Sequence, residues 1–86
     1  MAAKTPDSIK RHSLGDLKLT VATFVTNDID DNDSWASGIK SVIGHWWGGI
    51  SDNGYDVQVT SVTNGEFLFD AAANTQGKLY VISYDY

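Results

Sequence analysis

The chain has 86 residues, a mass of 9.4 kDa, no cysteine and a formal net charge of −5 at pH 7. A chain of this length has room for one hydrophobic core, so we expect a single small domain. The lack of cysteine excludes thiolate nucleophiles, CxxC redox pairs and cysteine-based zinc sites. No apolar run has the length of a membrane span and no signal-type stretch is recognisable, so we expect a protein that binds no membrane and is made without Sec export.

The charge is unevenly distributed along the chain. Residues 1–13 carry Lys4, Lys10 and Arg11 against Asp7, whereas residues 14–86 carry three lysines against ten carboxylates. The layout is therefore a short basic segment followed by an acidic body. Because an acidic body repels phosphate backbones, we predict no nucleic-acid binding.

Residues 1–13 show neither a helical nor a strand period and contain the one proline of the chain. We interpret them as an extended basic N-terminal arm that precedes a single domain over residues 14–86. The arm is either a frayed chain end or a tether that becomes ordered against a partner. For a tether, the expected contact residues are its cations and large aliphatic side chains: Lys4, Ile9, Lys10, Arg11 and Leu14.

Most of the body alternates between two faces, as β-strands do. Alternating segments cover residues 16–26, 55–62, 66–71 and 78–86. Asn53-Gly54 is typical of a turn, and Asn64-Gly65 predicts a hairpin, because type I′ turns need positive φ at both central positions. Several short strands bounded by Asn, Asp or Gly predict an all-β protein, a small antiparallel β-sandwich or open barrel.

Residues 33–49 are compatible with two structures. The apolar side chains follow a helical stripe, which would give an α+β fold with one helix in residues 34–47. Two internal glycines and many Ser, Val, Ile and Trp residues oppose a helix. We favour one or two strands broken at Gly38 and Gly44, with Ile43, His45 and Trp47 on one side and Val42 and Trp46 on the other.

The acidic segment that follows the first predicted strand is a weak candidate for a cation site. Asp28, Asp30 and Asn32 occupy alternate positions, as the first oxygen ligands of a calcium loop do. The pattern lacks the glycine and the bidentate glutamate of that motif, because Asp33 and Ile39 stand there. We therefore predict a solvated acidic turn or a patch for a basic partner, and we expect no metal and no other cofactor.

The sequence offers no recognisable catalytic motif. It has neither a GxSxG nor an HExxH pattern, and its two histidines, His12 and His45, lie far apart. A carboxylate pair for glycoside hydrolysis would need a cleft that raises one pKa, which a domain of this size hardly accommodates. We expect a protein that is not an enzyme.

The aromatic residues are the strongest candidates for binding. Adjacent residues on a strand point to opposite faces, so one of Trp46 and Trp47 should enter the core and the other should face outward. Tyr80, Tyr84 and Tyr86 share one face of the last predicted strand. An outward Trp beside such a ladder fits a protein interface or a carbohydrate-stacking platform, although all these rings could also simply fill a thin core. The expected partner-binding aromatics are Trp46, Trp47, Tyr84 and Tyr86.

Three phrases of the chain, GDLKLTVATF, DIDDNDSWASGIKSVIGHWW and KLYVISY, resemble short proteins encoded among the structural genes of tailed bacteriophages. The resemblance covers most of residues 15–86 and includes no catalytic motif. It implies a small β-rich virion component that decorates or cements the head.

The resulting functional hypothesis is a non-enzymatic capsid decoration protein, made in the host cytoplasm and located on the capsid surface. Its expected partner is the major capsid protein, with copies of itself as a further option. The alternatives are a small carbohydrate-binding module and a tail or neck component.

Overall fold

The computed structural model describes residues 3–49, 57–71 and 75–84. Within these residues the protein consists of β-strands without a helix, so the all-β prediction is confirmed. The strands form two antiparallel sheets, one of four strands and one of three. They are β1 Ser8–Leu14, β2 Leu17–Ile29, β3 Ser34–Ala36, β4 Val42–Gly49, β5 Gln58–Thr63, β6 Glu66–Asp70 and β7 Thr75–Ser83.

The larger sheet has the strand order β1-β2-β7-β4, and the smaller sheet has the order β3-β6-β5. β1 and β2 form a hairpin, and β7 pairs antiparallel with both β2 and β4. In the smaller sheet β6 lies between β3 and β5. The chain therefore passes back and forth between the two sheets. This path brings residues that are distant in sequence into one core.

The core lies between the inner faces of the two sheets. Every second residue of β7 is buried from Thr75 to Ser83, and β6 buries Phe67 and Phe69. On β2 the buried residues are Thr20, Ala22 and Phe24 before the register shift and Ile29 after it. This period of two is the expected consequence of the pleat, which sends successive side chains to opposite faces.

Aromatic rings join the two sheets. The Phe24 ring lies 5.9 Å from that of Trp35 and 5.9 Å from that of Phe69, both in edge-to-face geometry, and stacks on Trp47 at 6.2 Å. Trp35 in turn stacks on Phe67 at 5.7 Å. Each such ring pair contributes roughly 0.5–1.5 kcal/mol beyond its buried area.

Residues 33–49 form two strands, so the helix alternative over residues 34–47 is wrong. The preferred prediction of strands broken near Gly38 and Gly44 is confirmed, because β3 ends at Ala36 and β4 begins at Val42. A β-bulge between Val42 and Gly44 shifts the register against β7. The extra residue places Val42 against the core, on the same side as Trp47, and leaves Ile43 exposed. The predicted sides of Val42 and Ile43 were therefore wrong.

The N-terminal segment lies along the body. Its residues 8–14 form β1, so the boundary expected after residue 13 falls inside a strand of the larger sheet. The Asp7 carboxylate accepts hydrogen bonds from the backbone N–H groups of Val25, Thr26 and Asn27 at 2.7–3.0 Å. Lys4 donates its backbone N–H to the Ser34 carbonyl, and its ammonium lies 3.6 Å from Asp33.

The hairpin at Asn64-Gly65 is confirmed: it connects β5 to β6, and both residues have positive φ. Gly65 also packs on the backbone of Ile39, where an added Cβ would lie 2.6 Å from the carbonyl oxygen. The last strand begins earlier than predicted, at Thr75 and not at residue 78. The predicted turn at Asn53-Gly54 lies outside the described residues.

Gly77 on β7 should not tolerate a side chain. A Cβ there would lie 2.6 Å from the Gly48 carbonyl oxygen and 2.6 Å from the Trp47 indole. We expect Gly77→Ala to lower the free energy of unfolding by about 1–3 kcal/mol, because the ring and the strand must both move. Gly44→Ala is the control, since an added Cβ there has no neighbour within 4 Å. Urea denaturation measures both, and equal midpoints would contradict the packing.

Asp7 should make the stability of the fold depend on pH. Its pKa is lowered from the usual 3.8, because burial acts to raise it but the three backbone hydrogen bonds outweigh burial. A lowered folded-state pKa stabilises the protein above the unfolded-state pKa, and this contribution is lost as the pH falls through the folded-state value. We expect Asp7→Asn to lower the urea midpoint near neutral pH, and the difference from wild type to shrink below about pH 4. Asp16→Asn, in the β1–β2 turn, is the control for the loss of an exposed carboxylate.

Candidate binding surface on the four-stranded sheet

The two central strands of the larger sheet are apolar on both faces. On β2, Leu17, Leu19 and Val21 alternate with the buried set that contains Ala22 and Phe24. On β7, the alternation places Tyr80 and Ile82 opposite to the buried Leu79 and Val81. Such a double pattern is typical of strands that are covered on both faces. The smaller sheet covers one face, and no second layer lies on the other among the described residues.

We call the uncovered side of the larger sheet the outer face. Strand register defines its rows, because residues directly opposite each other share a face. One row runs Lys10–Val21–Tyr80–Trp46, and the next runs His12–Leu19–Ile82–Gly44. The surface is therefore continuous across all four strands.

Trp46 and Tyr80 form the aromatic centre of the outer face. Their ring centroids lie 5.0 Å apart with an interplanar angle of 4°, which is an offset stack with overlapping ring faces. Gly48 leaves room for the tyrosine, because a Cβ there would lie 3.1 Å from the Tyr80 ring. Trp46 nevertheless remains 48% exposed. The stack holds a large, half-exposed ring in one orientation.

The charge of the outer face is opposite to that of the body. The rows that strand register defines carry Lys10 and Lys78 and no carboxylate, whereas Asp28 lies farther along β2, beyond the register shift after Phe24. On the smaller sheet, by contrast, Glu66 and Asp70 alternate with the buried phenylalanines of β6 and face away from the core. The molecule therefore has an apolar face with cations on one side and an acidic, polar face on the other.

The predicted partner-binding residues divide between several places. Lys10, Leu14 and Trp46 lie on the outer face, and Tyr84, which is 64% exposed, extends it beyond the end of β7. Trp47 packs against the core, which confirms that one tryptophan enters the core and the other faces outward. Tyr86 lies outside the described residues.

The remaining arm residues lie elsewhere. Ile9 and Arg11 pair with Ala22 and Thr20, so they project to the inner side of the sheet at its edge. Ile9 is 43% exposed there, beyond the cover of the smaller sheet. Lys4 forms its ion pair with Asp33 of the same chain. The structure thus brings together only part of the predicted arm surface.

The acidic segment is organised by hydrogen bonds of its own. The Asp33 carboxylate accepts a hydrogen bond of 2.8 Å from the backbone N–H of Asp30. The Asp31 carboxylate accepts one of 3.4 Å from the backbone N–H of Ala71. Asp28 lies in β2, and Asn32 has a positive φ in the turn. No group of three or more His, Asp or Glu side chains among the described residues is arranged to hold a metal ion.

A cleft of about 710 Å³ lies between the β3–β4 loop, the start of β4 and the β5–β6 turn. Its ionisable lining residues are Lys40 and His45. The His45 ring contacts the edge of Phe67 at 5.8 Å, so it is anchored on the core side of β4.

Several residues of the outer face were missed by sequence reasoning: Leu17, Leu19, Val21, Lys78 and Ile82. A signal for them was present, because both alternating registers of β2 and β7 are apolar. The sequence alone does not show which of the two alternating sets of side chains faces outward, because that depends on where the second sheet packs.

Comparison with protein-family models, with curated proteins and with solved structures found no match to this chain. Across residues 3–49, 57–71 and 75–84, no helix is long and apolar enough to cross a membrane. The function must therefore be argued from the surface itself.

The Trp46–Tyr80 stack should be measurable as a coupling energy. In a double-mutant cycle of Trp46→Ala and Tyr80→Ala, we expect about 0.5–1.5 kcal/mol of coupling in the free energy of unfolding. A cycle of Trp46→Ala with Leu68→Ala, which lies on the opposite sheet, should give none. Coupling of equal size in both cycles would show that the stack contributes nothing specific.

Proposed function

We propose that this protein is a non-enzymatic structural protein of a phage virion that docks on the major capsid protein through its outer face. Its place would then be the surface of the capsid. The resemblance of the sequence to small phage head proteins supplies the identity of the partner. The structure supports the proposal with a docking surface.

The observation that carries the proposal is the double apolar pattern of β2 and β7. A strand with only one covered face normally alternates between apolar and polar residues. Here Leu19, Val21 and Ile82 occupy positions that would otherwise be polar. Large apolar patches of this kind are typical of surfaces that bind another protein.

The outer face also has the features of an efficient interface. Trp46 is a large anchor near its centre, and tryptophan is among the residues that dominate interface energies. The Tyr80 stack fixes the Trp46 ring before binding, so less side-chain entropy is lost on docking. Lys10 and Lys78 would attract a partner surface that carries carboxylates.

The same stack argues against a sugar platform. A sugar ring stacks on the open face of an aromatic side chain. Two aromatic rings that lay side by side in one plane would present a wide platform of this kind. Trp46 and Tyr80 instead cover one face of each other. Protein docking therefore explains the surface better than carbohydrate binding does.

The test is co-sedimentation with purified heads of the phage that encodes the chain. We expect Trp46→Ala to weaken binding at least about tenfold, because loss of a central aromatic anchor costs about 2 kcal/mol or more. Leu68→Ala is the matched control, since it removes an apolar side chain from the opposite sheet and should bind as wild type does. Circular dichroism verifies that both variants fold.

Three results would contradict the proposal in different ways. Absence of wild-type binding to heads would reject the capsid role. Unchanged binding of Trp46→Ala would reject the outer face as the docking surface. Glycan binding that disappears in Trp46→Ala would favour the carbohydrate alternative.

A further inference from the structure

We propose that the cleft between the β3–β4 loop, the start of β4 and the β5–β6 turn binds a small amphipathic carboxylate. Such a ligand consists of one carboxylate group and a compact apolar body. The cleft has a volume of about 710 Å³, which lies within the range of roughly 300–1,000 Å³ that is typical of small-molecule sites. The proposal does not depend on the capsid role.

The aliphatic lining of the cleft would hold the apolar body of the ligand. The aliphatic residues that line it are Ile39, Val42, Ile43 and Val62. Ile39 belongs to the buried core, and Val42 and Val62 pack against that core, whereas Ile43 is half-exposed. A ligand that covers these side chains would remove apolar surface from water, which stabilises the complex. The lining therefore favours an amphipathic ligand over a purely polar one.

The polar side chains of the cleft can donate hydrogen bonds, and none of them is a carboxylate. They are Lys40, Ser41, His45 and Asn64. Within the part of the chain that the structure describes, none of these four side chains forms a hydrogen bond or an ion pair. Glu66, which follows the β5–β6 turn, faces away from the core. The donors are therefore available to a ligand that carries acceptor oxygens and negative charge.

The charge of the lining selects the acidic group of the ligand. Lys40 carries one fixed positive charge, and the His45 imidazole has an N–H donor in either tautomer. One ammonium group matches the single negative charge of a carboxylate, and the hydrogen bonds between them are charge-assisted. A phosphate monoester carries close to two negative charges at neutral pH, which one lysine does not balance. A carboxylate is therefore favoured over a phosphate.

The walls of the cleft are fixed by contacts within the protein. The backbone N–H and the hydroxyl of Ser37 donate to the Gly65 carbonyl, and Ile39 donates its N–H to the Ser37 hydroxyl. Tyr84 donates its backbone N–H to the Ser41 carbonyl at 3.3 Å. Ser41 has a φ of 56°, a conformation that is uncommon for non-glycine residues and clusters at ligand sites. Because these contacts exist without a ligand, binding loses little free energy to loop ordering.

The experiment compares phenylpropionate with phenylpropionamide, which has a similar shape but no charge. Each compound is titrated into the isotope-labelled full chain, and NMR amide shifts give its dissociation constant and its location. We expect the carboxylate to bind at least about fivefold more tightly, because its hydrogen bonds to Lys40 are charge-assisted. The shifts should be largest in residues 38–45 and at Asn64 and Gly65.

A substitution of Lys40 tests the charge of the cleft. Lys40→Met removes the ammonium group and keeps a long apolar side chain. We expect it to weaken phenylpropionate binding at least about fivefold and to change phenylpropionamide binding little. Lys78→Met is the matched control, because it removes the same charge from the outer face, and it should bind phenylpropionate as wild type does.

A substitution of His45 tests the second donor. His45→Phe removes the ring nitrogens and keeps an aromatic ring against Phe67. We expect both ligands to bind several-fold more weakly, because the carboxylate and the amide oxygen would each lose the same N–H donor. Unchanged binding of both ligands would remove His45 from the site.

Several results would overturn the proposal. They are the absence of saturable shifts with phenylpropionate, equal affinity for phenylpropionate and phenylpropionamide, equal effects of Lys40→Met and Lys78→Met, and largest shifts outside the cleft. Tighter binding of phenethyl phosphate would overturn the choice of acidic group. The comparison of ligands on the wild-type chain remains decisive if a variant does not fold. Trp46→Ala should bind phenylpropionate as wild type does, which separates this site from the outer face.

Discussion

The packing of Phe24 between the two sheets is the constraint on which the rest of the molecule depends. Its ring contacts Trp35, Trp47 and Phe69, which come from three other strands. Once Trp47 enters this cluster, the pleat of β4 directs Trp46 to the opposite face. The core therefore determines which tryptophan is available for binding.

Small residues make this arrangement possible. Gly77 gives the Trp47 indole its place over β7, and Gly48 gives the Tyr80 ring its place on the other side of the sheet. The close contacts at Gly77 and Gly48 lie on opposite faces of the sheet. Together they position Trp47 in the core and the Trp46–Tyr80 stack on the outer face. In a domain this thin, the inner packing and the outer surface are consequences of the same strand register.

Much of the fold could be predicted from the sequence because period-two alternation is a local signal. It identified β2, β5, β6 and β7 approximately, and Asn64-Gly65 located a hairpin. It also showed that Trp46 and Trp47 must separate. The extent of the N-terminal segment was not predictable in the same way, because Ser8–Leu14 acquires its strand structure by pairing with β2 and by the Asp7 contacts at its start.

The sequence by itself determined the strand period, the turn positions, the separation of charge between the basic segment and the acidic body, and the presence of apolar residues on both faces of two strands. Only the tertiary structure decided which face is covered. It also decided that the bulge at Ile43 turns Val42 inward, and that Lys10 and Lys78 border one apolar surface. These outcomes depend on pairing between strands that are far apart in sequence, whereas the period of a single strand reports only on its own two faces.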